Sequence, residues 1–181
     1  MSLQIERLYE RLHARFPASE TAPSPEAADA DGQATGEEEK TEAPLAPCRR
    51  VEHARTGRDI DLDLDPHQLA EAARILDEEG FAFDMICGVD WPDDNRIELV
   101  YDFMHFHGPG RVSVRTRLPR DNPEIPSLAP IFAGANWHER ETAEFYGVRF
   151  TGHPNPVHLL LPEDFEGYPL RKDFKPVHDA P

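Results

Sequence analysis

The residues best equipped for chemistry lie in WHERETAEFYG, residues 137–147, and in GYPLRKDF, residues 167–174. His138 directly before Glu139 resembles the start of a zinc-protease pattern. That chemistry needs a second histidine four residues after the first, on the same helical face, and position 142 is Thr. His105 and His107 flank Phe106 at a strand end, without a neighbouring cysteine or carboxylate cluster. They read as solvated turn histidines. His153 and His158 stand in a proline-broken stretch with no third ligand at useful spacing. Cys48 and Cys87 form no CxxC pair, and two cysteines fall short of the four that iron–sulfur clusters generally need. GxSxG, GxGxxG and P-loop patterns are absent. The expectation is a chain with no catalytic, cofactor-binding or metal-ligating residues of its own.

Charges without catalytic companions remain. Asn136 followed by Glu139 reads as a cap and capping box, opening a helix over 136–147 that stops at Gly147. Within it Arg140 and Glu144 are four apart and can pair. Glu139 and Glu141 favour the positive helix N-terminus by ~0.3–1 kcal/mol each. Two readings stay open: a well-capped surface helix, or a charged face whose partners lie on another chain. Arg171, Lys172 and Asp173, set between Tyr168 and Phe174, are likewise either a solvated turn or an anchoring patch of Arg and aromatic character.

The elements that must position these groups are legible from periodicity. Ile5, Leu8, Tyr9, Leu12 and Phe16 recur at helical spacing, with Arg7, Arg11 and Arg15 off that stripe. So short a helix is marginal alone in water and must pack against the domain or a partner. Residues 59–64, DIDLDL, alternate as a half-exposed strand with the aspartates outward. Asp65-Pro66-His67-Gln68 reads as cap, proline and box residue of a helix ending at Gly80. Residues 81–89 are nearly all apolar and read as a central strand. Residues 96–103 and 111–118 alternate as strands joined by turns at 92–95 and 107–110. After Leu118, prolines mark a loop and short helix, and from Val148 the chain is irregular. An irregular stretch of that length in a small domain usually serves a binding surface. The fold class expected is α+β: a small, mostly antiparallel sheet packed with helices, with an extended irregular C-terminal tail.

The 181 residues carry 35 acidic against 19 basic side chains, a net charge of −16. That balance argues against nucleic acid and anionic lipid, which demand Lys and Arg. No apolar run approaches the ~20 residues that span a bilayer, so membrane association must come through partners. Residues 17–47 hold eight acids and one base and lack aromatic residues, so a disordered, self-repelling tether is expected there. The division is therefore an amphipathic helix at 1–16, an acidic linker at 17–47, an α+β domain at 48–150 and an interaction tail at 151–181.

PSLAPIFAGANWHERETAEFYGVRFTGHP (126–154) and LPEDFEGYPLRKDF (161–174) together strongly resemble the C subunit of NADH–quinone oxidoreductase, respiratory complex I, also called the 30 kDa subunit family. The resemblance implies a cofactor-free structural subunit of the hydrophilic arm, peripheral on the cytoplasmic face of the bacterial inner membrane. Its partners would be the large quinone-site subunit and neighbouring iron–sulfur subunits, with NADH, FMN, iron–sulfur clusters and quinone held elsewhere in the complex. Carried over by position, Glu139, Arg140, Glu141, Glu144, His153, Arg171, Lys172 and Asp173 would form the subunit interface. Related subunits of membrane-bound nickel–iron hydrogenase and formate hydrogenlyase complexes are the alternative. A free-standing small enzyme with Glu139 or His138 as base is a third reading. Glu144 stands where the family usually has Asp, Tyr168 replaces a frequent His, and Phe165 a frequent Trp. Residues 155–161 lack the arginines usual there.

Overall fold

The computed structural model describes residues 3–17 and 47–176. The acidic linker expected at 17–47, apart from its two end prolines, and the last five residues of the tail lie outside them. Helix α1 (Leu3–Arg15) buries Ile5, Leu8, Leu12 and the following Phe16. It docks on its own chain. Arg11 pairs with Glu78 and with Glu79 (2.9 Å), and Arg15 with Glu71 (2.5 Å). The off-stripe arginines thus bridge to the helix underneath, and Arg50 lies over the Tyr9 ring at 4.2 Å.

Five strands form one sheet: β1 (Cys48–Arg50), β2 (Ile60–Asp63), β3 (Phe81–Trp91), β4 (Arg96–His105) and β5 (Arg111–Pro119), in the order β1-β2-β5-β4-β3. All neighbours are antiparallel except β2 and β5, which run parallel because the connection between them re-enters the sheet from the far edge. One turn of helix, α2 (His53–Thr56), joins β1 to β2. A 3₁₀ turn at Pro66–Gln68 leads into α3 (Leu69–Glu78), and the Asp65 N–H donates to Gln68 Oε1 at 3.1 Å, as the capping pattern predicts. Gly80 follows at φ +79°, a left-handed backbone that ends the helix.

One sheet face is the core. Ile97, Leu99, Tyr101 and Phe103 of β4 meet Val112, Val114 and Leu118 of β5 and Ile60 and Leu62 of β2, all buried under the helices. Two strand expectations need correction. Residues 81–89 belong to an edge strand: its apolar character serves the packing of a later helix, α4 (Ala135–Tyr146), against β3. And β2 does not turn its aspartates to solvent. Asp61 is buried beneath Arg49 (2.7 Å), Arg58 (3.2 Å) and Arg115 (3.6 Å), because β2 lies inside the sheet and its outer face carries an arginine ladder.

After β5 the chain makes β6 (Glu124–Pro126), then α4, then β7 (Arg149–Thr151), which pairs parallel with β6 as a separate small sheet. Three-residue strands leave no readable period, and both fall inside proline-punctuated sequence. From Gly152 to Pro176 the chain has no helix or strand.

Candidate docking site

Helix α4 begins after Gly134 rather than with Asn136 as its cap. Phe132 ahead of it packs on Phe103 with ring centroids 5.5 Å apart, and His138 meets Phe83 edge-on at 5.4 Å. His138 is thereby an aromatic packing residue. At the other end Gly147 (φ +74°) returns its N–H to the Ala143 carbonyl at 2.8 Å. A Cβ there would also lie 2.5 Å from the Tyr168 ring.

The expected capping box does not form. Glu139 is fully buried and accepts from Ser127 Oγ and from the Leu128 N–H, each at 2.5 Å. Burial pushes its carboxyl up to about 7, against the pull of these donors. His153 reaches Asn136 O with Nε2 (3.1 Å) and stands 3.8 Å from Glu139. Arg140 and Glu144 do not pair with each other. Arg140 donates to the carbonyls of Val157 (2.8 Å) and His158 (2.7 Å), while buried Glu144 accepts the N–H groups of Leu159 (2.8 Å), Leu160 (3.0 Å) and Leu161 (3.3 Å). A segment without secondary structure has free backbone donors and acceptors, and these two side chains satisfy five of them. Neither a solvated surface helix nor a set of charges awaiting another chain describes Glu139, Arg140 and Glu144. Their partners are the loop before α4 and the tail after it. Of Glu139, Arg140, Glu141 and Glu144, Glu141 alone is exposed and makes no side-chain hydrogen bond or ion pair with the described residues.

The second motif is fastened in the same way. Asp90, at the buried end of β3, accepts Arg120 Nε (2.7 Å) and the Lys172 N–H (2.8 Å). Arg120 also reaches Asp173 (2.5 Å). The Arg120 guanidinium holds both carboxyls below the usual carboxylate range. Arg171 donates to Tyr146 O at 2.8 Å and lies 4.7 Å over the Tyr168 ring. Lys172 Nζ sits 5.4 Å from the Trp91 ring. Phe165 and Phe174 stack with centroids 6.0 Å apart.

All eight expected residues lie on α4 and the tail, and four of them, Glu139, Arg140, Glu144 and His153, line a cleft of about 500 Å³ together with Ala143, Val148, Phe150, Phe165 and Tyr168; Glu141, Arg171, Lys172 and Asp173 lie outside it. The tail turns large apolar groups outward: Val157, Leu160 (63% exposed) and Leu170, with Trp137 (65%) on α4. Ser127, Asp90 and Arg120 were not legible as members. The lone signal was Asp90 interrupting an apolar strand. Among the described residues no group of His, Cys, Asp or Glu is arranged to hold a metal ion, and no helix is long and apolar enough to cross a membrane.

Fold and site define a small α+β domain that carries an internally fastened, irregular tail with several large apolar side chains exposed among charged ones. Residues 62–179 match the family described as the respiratory-chain NADH dehydrogenase 30 Kd subunit, and the chain belongs to that family. It is 39% identical over 120 residues to the C subunit of the NADH-quinone oxidoreductase of Roseiflexus sp. (strain RS-1), covering 64% of this chain and 69% of that protein. It is 44% identical over 97 residues to the C subunit of the F(420)H(2) dehydrogenase of Methanosarcina mazei, covering 51% and 61%. A chain from the membrane-bound sulfane sulfur reductase, an archaeal respiratory membrane complex, shares the fold with a TM-score of 0.64 at 29% identity, covering 72% of this chain and 79% of that one.

Proposed function

We propose that the chain is a non-catalytic structural subunit of a membrane-attached NADH–quinone oxidoreductase. It docks on the large quinone-site subunit through the outer surface of α4 and the tail, and supports electron transfer from NADH to quinone. NADH, FMN, iron–sulfur clusters and quinone are held by other subunits, the iron–sulfur subunits being neighbours. The chain is peripheral, on the cytoplasmic face of the bacterial inner membrane. The observation that carries this reading is the exposed apolar set Trp137, Val157, Leu160 and Leu170 on a backbone that the domain itself holds in place. A pre-ordered apolar surface binds without the entropy loss of ordering a free segment. Exposed apolar and aromatic side chains of this kind are the usual core of a protein–protein contact.

A second reading differs only in the electron donor. The likeness to a subunit of F(420)H(2) dehydrogenase favours keeping it open, beside the equivalent subunit of a hydrogenase-type complex. Mild-detergent affinity purification of the tagged chain, followed by assay of the recovered complex, separates them. NADH–quinone activity in the eluate is the expected result. Hydrogen evolution or F420H2 oxidation without NADH activity would replace the donor but keep the role. Turnover by the isolated chain would overturn the role.

A further inference from the structure

Helix α4 accounts for one face of β3 but not for its other face or its edge. Phe83 and Gly88 turn toward α4: the Phe83 ring meets His138, and a Cβ on Gly88 would lie 2.6 Å from the Tyr146 ring. The register with β4 sets Met85, Cys87, Val89 and Trp91 on the opposite face, with Cys87 beside Val100. Met85, Cys87 and Trp91 are exposed there, and Val89 and Val100 are half-buried. Elsewhere this face is polar. Arg115 and Arg117 run ion pairs to Glu98 on one side and to Asp61 and Asp63 on the other, so the apolar side chains gather on the side of the free edge.

The edge itself is open. β3 is the last strand of the sheet, and among the described residues no backbone group of Phe81–Trp91 bonds to the backbone of any element but β4. Every second residue of an antiparallel edge strand turns its N–H and C=O away from its neighbour, and groups so placed need water or another strand. Proteins blunt such edges with a short strand, a lysine, a proline or a bulge. β1, at the opposite edge, is three residues long and carries Arg49 and Arg50. β3 has a bulge between Phe83 and Met85, and beyond it residues 85–91 run on for roughly 24 Å. They include no Lys or Pro, and their one charged side chain, Asp90, is buried and bonded to Arg120 and the Lys172 N–H.

We propose that the free edge of β3 is a strand-addition site: an extended segment of the neighbouring subunit pairs with residues 85–91 and lays apolar side chains against Met85, Cys87 and Val89. The site rests on the docking role proposed above and adds to it the backbone form of the partner. A helix could cover the apolar side chains, but its own N–H and C=O groups are already bonded and would leave those of the edge unpaired. An extended segment satisfies both. The edge is continuous with the docking surface, since α4 touches β3 at Gly88 and the tail is bonded to Asp90, so one neighbour reaches all three.

The test is amide hydrogen exchange, read by mass spectrometry, on the tagged full chain alone and in the complex recovered with it in mild detergent. Peptides covering 85–91 are compared with peptides covering 137–147 and 157–172. In the chain alone about half of the amides in 85–91, those turned outward, should exchange rapidly. In the complex they should slow by at least tenfold. Slowing confined to 137–147 and 157–172 would uphold docking and overturn the strand-addition site. No slowing in any of the three would overturn the docking role and the site with it. Protection of all of 85–91 in the chain alone, whether as a monomer or as a concentration-dependent dimer, would show the edge paired within the chain or by a second copy, and also overturns the proposal. Met85→Lys/Cys87→Lys places charges at two exposed positions, so that chain should keep its Tm within a few degrees and recover at least tenfold less complex. Undiminished recovery overturns the proposal.

Discussion

Arg120 and Asp90 meet through two nitrogens and two oxygens, at 2.7 and 3.1 Å, where the end of β5 passes the buried end of β3. Asp90 also accepts the Lys172 N–H, and the Arg120 Nη2 that donates to Asp90 Oδ2 donates as well to Asp173. The tail is thus tied to the sheet by a carboxylate that the tail does not own. Substituting Arg120→Ala leaves Asp90 buried with one donor. The expected loss lies between that of an exposed pair and a fully buried one, on the order of 2 kcal/mol. Denaturant unfolding checks the magnitude, and limited proteolysis should show first cleavage moving to residues 165–176.

Glu144→Ala removes the acceptor of three consecutive backbone N–H groups. The domain core does not depend on them, so Tm should fall by only a few degrees while amide exchange of Leu159, Leu160 and Leu161 rises by at least tenfold. Unchanged exchange at those three amides would mean that another contact holds the segment.

Gly147→Ala tests the close approach of the tail to the helix end. The added methyl meets the Tyr168 ring on a backbone of positive φ, so both strain and displacement follow. A loss of about 1–2 kcal/mol is expected from the backbone alone, and Tyr168 should move out of the cleft rim. Ring-proton shifts of Tyr168 report the displacement directly.

The pH dependence of stability has a definite sign. Burial raises the Glu139 carboxyl from 4.5 to about 7, so between those values the folded chain binds more protons than the unfolded one. Its contribution is fully present below about 4.5, declines as pH rises to about 7, and is flat above that. The decline is at most about 1.4 kcal/mol per pH unit. Urea unfolding at several pH values from 5 to 8 should show this slope in the wild type relative to Glu139→Gln. A difference between the two that does not vary with pH would show that Glu139 holds the same charge throughout.

Much of the architecture was readable because its elements are long and regular. The stripe Ile5, Leu8, Leu12, Phe16 and the alternation from Ile97 to Phe103 each mark a face, and those residues are buried. The capping pattern at Asp65 and Gln68 held because both groups act within four residues. The same local reasoning failed at Asn136 and Glu139, because Glu139 is drawn away by Ser127 and Leu128, partners that lie on a loop before the helix. Arg140 and Glu144 failed as a pair for a similar reason: an irregular backbone fifteen or more residues onward competes for both. Strand β3 was misplaced because a continuous apolar run does not distinguish a central strand from an edge strand covered by a helix. The motifs at 137–147 and 167–174 therefore marked residues that the fold gathers in one region, while the partner of each charge depended on tertiary placement.

The central claim is that the fastened tail presents a docking surface to a neighbouring subunit. The most direct measurement compares the wild-type chain with Val157→Asp/Leu160→Asp, each tagged, purified in mild detergent and assayed for co-purifying NADH–quinone activity. Both side chains are more than half exposed, so the substituted chain should keep its wild-type Tm within a few degrees. The account predicts that the wild type recovers the active complex and the substituted chain, equally folded, does not. Equal recovery of active complex by both chains would contradict it.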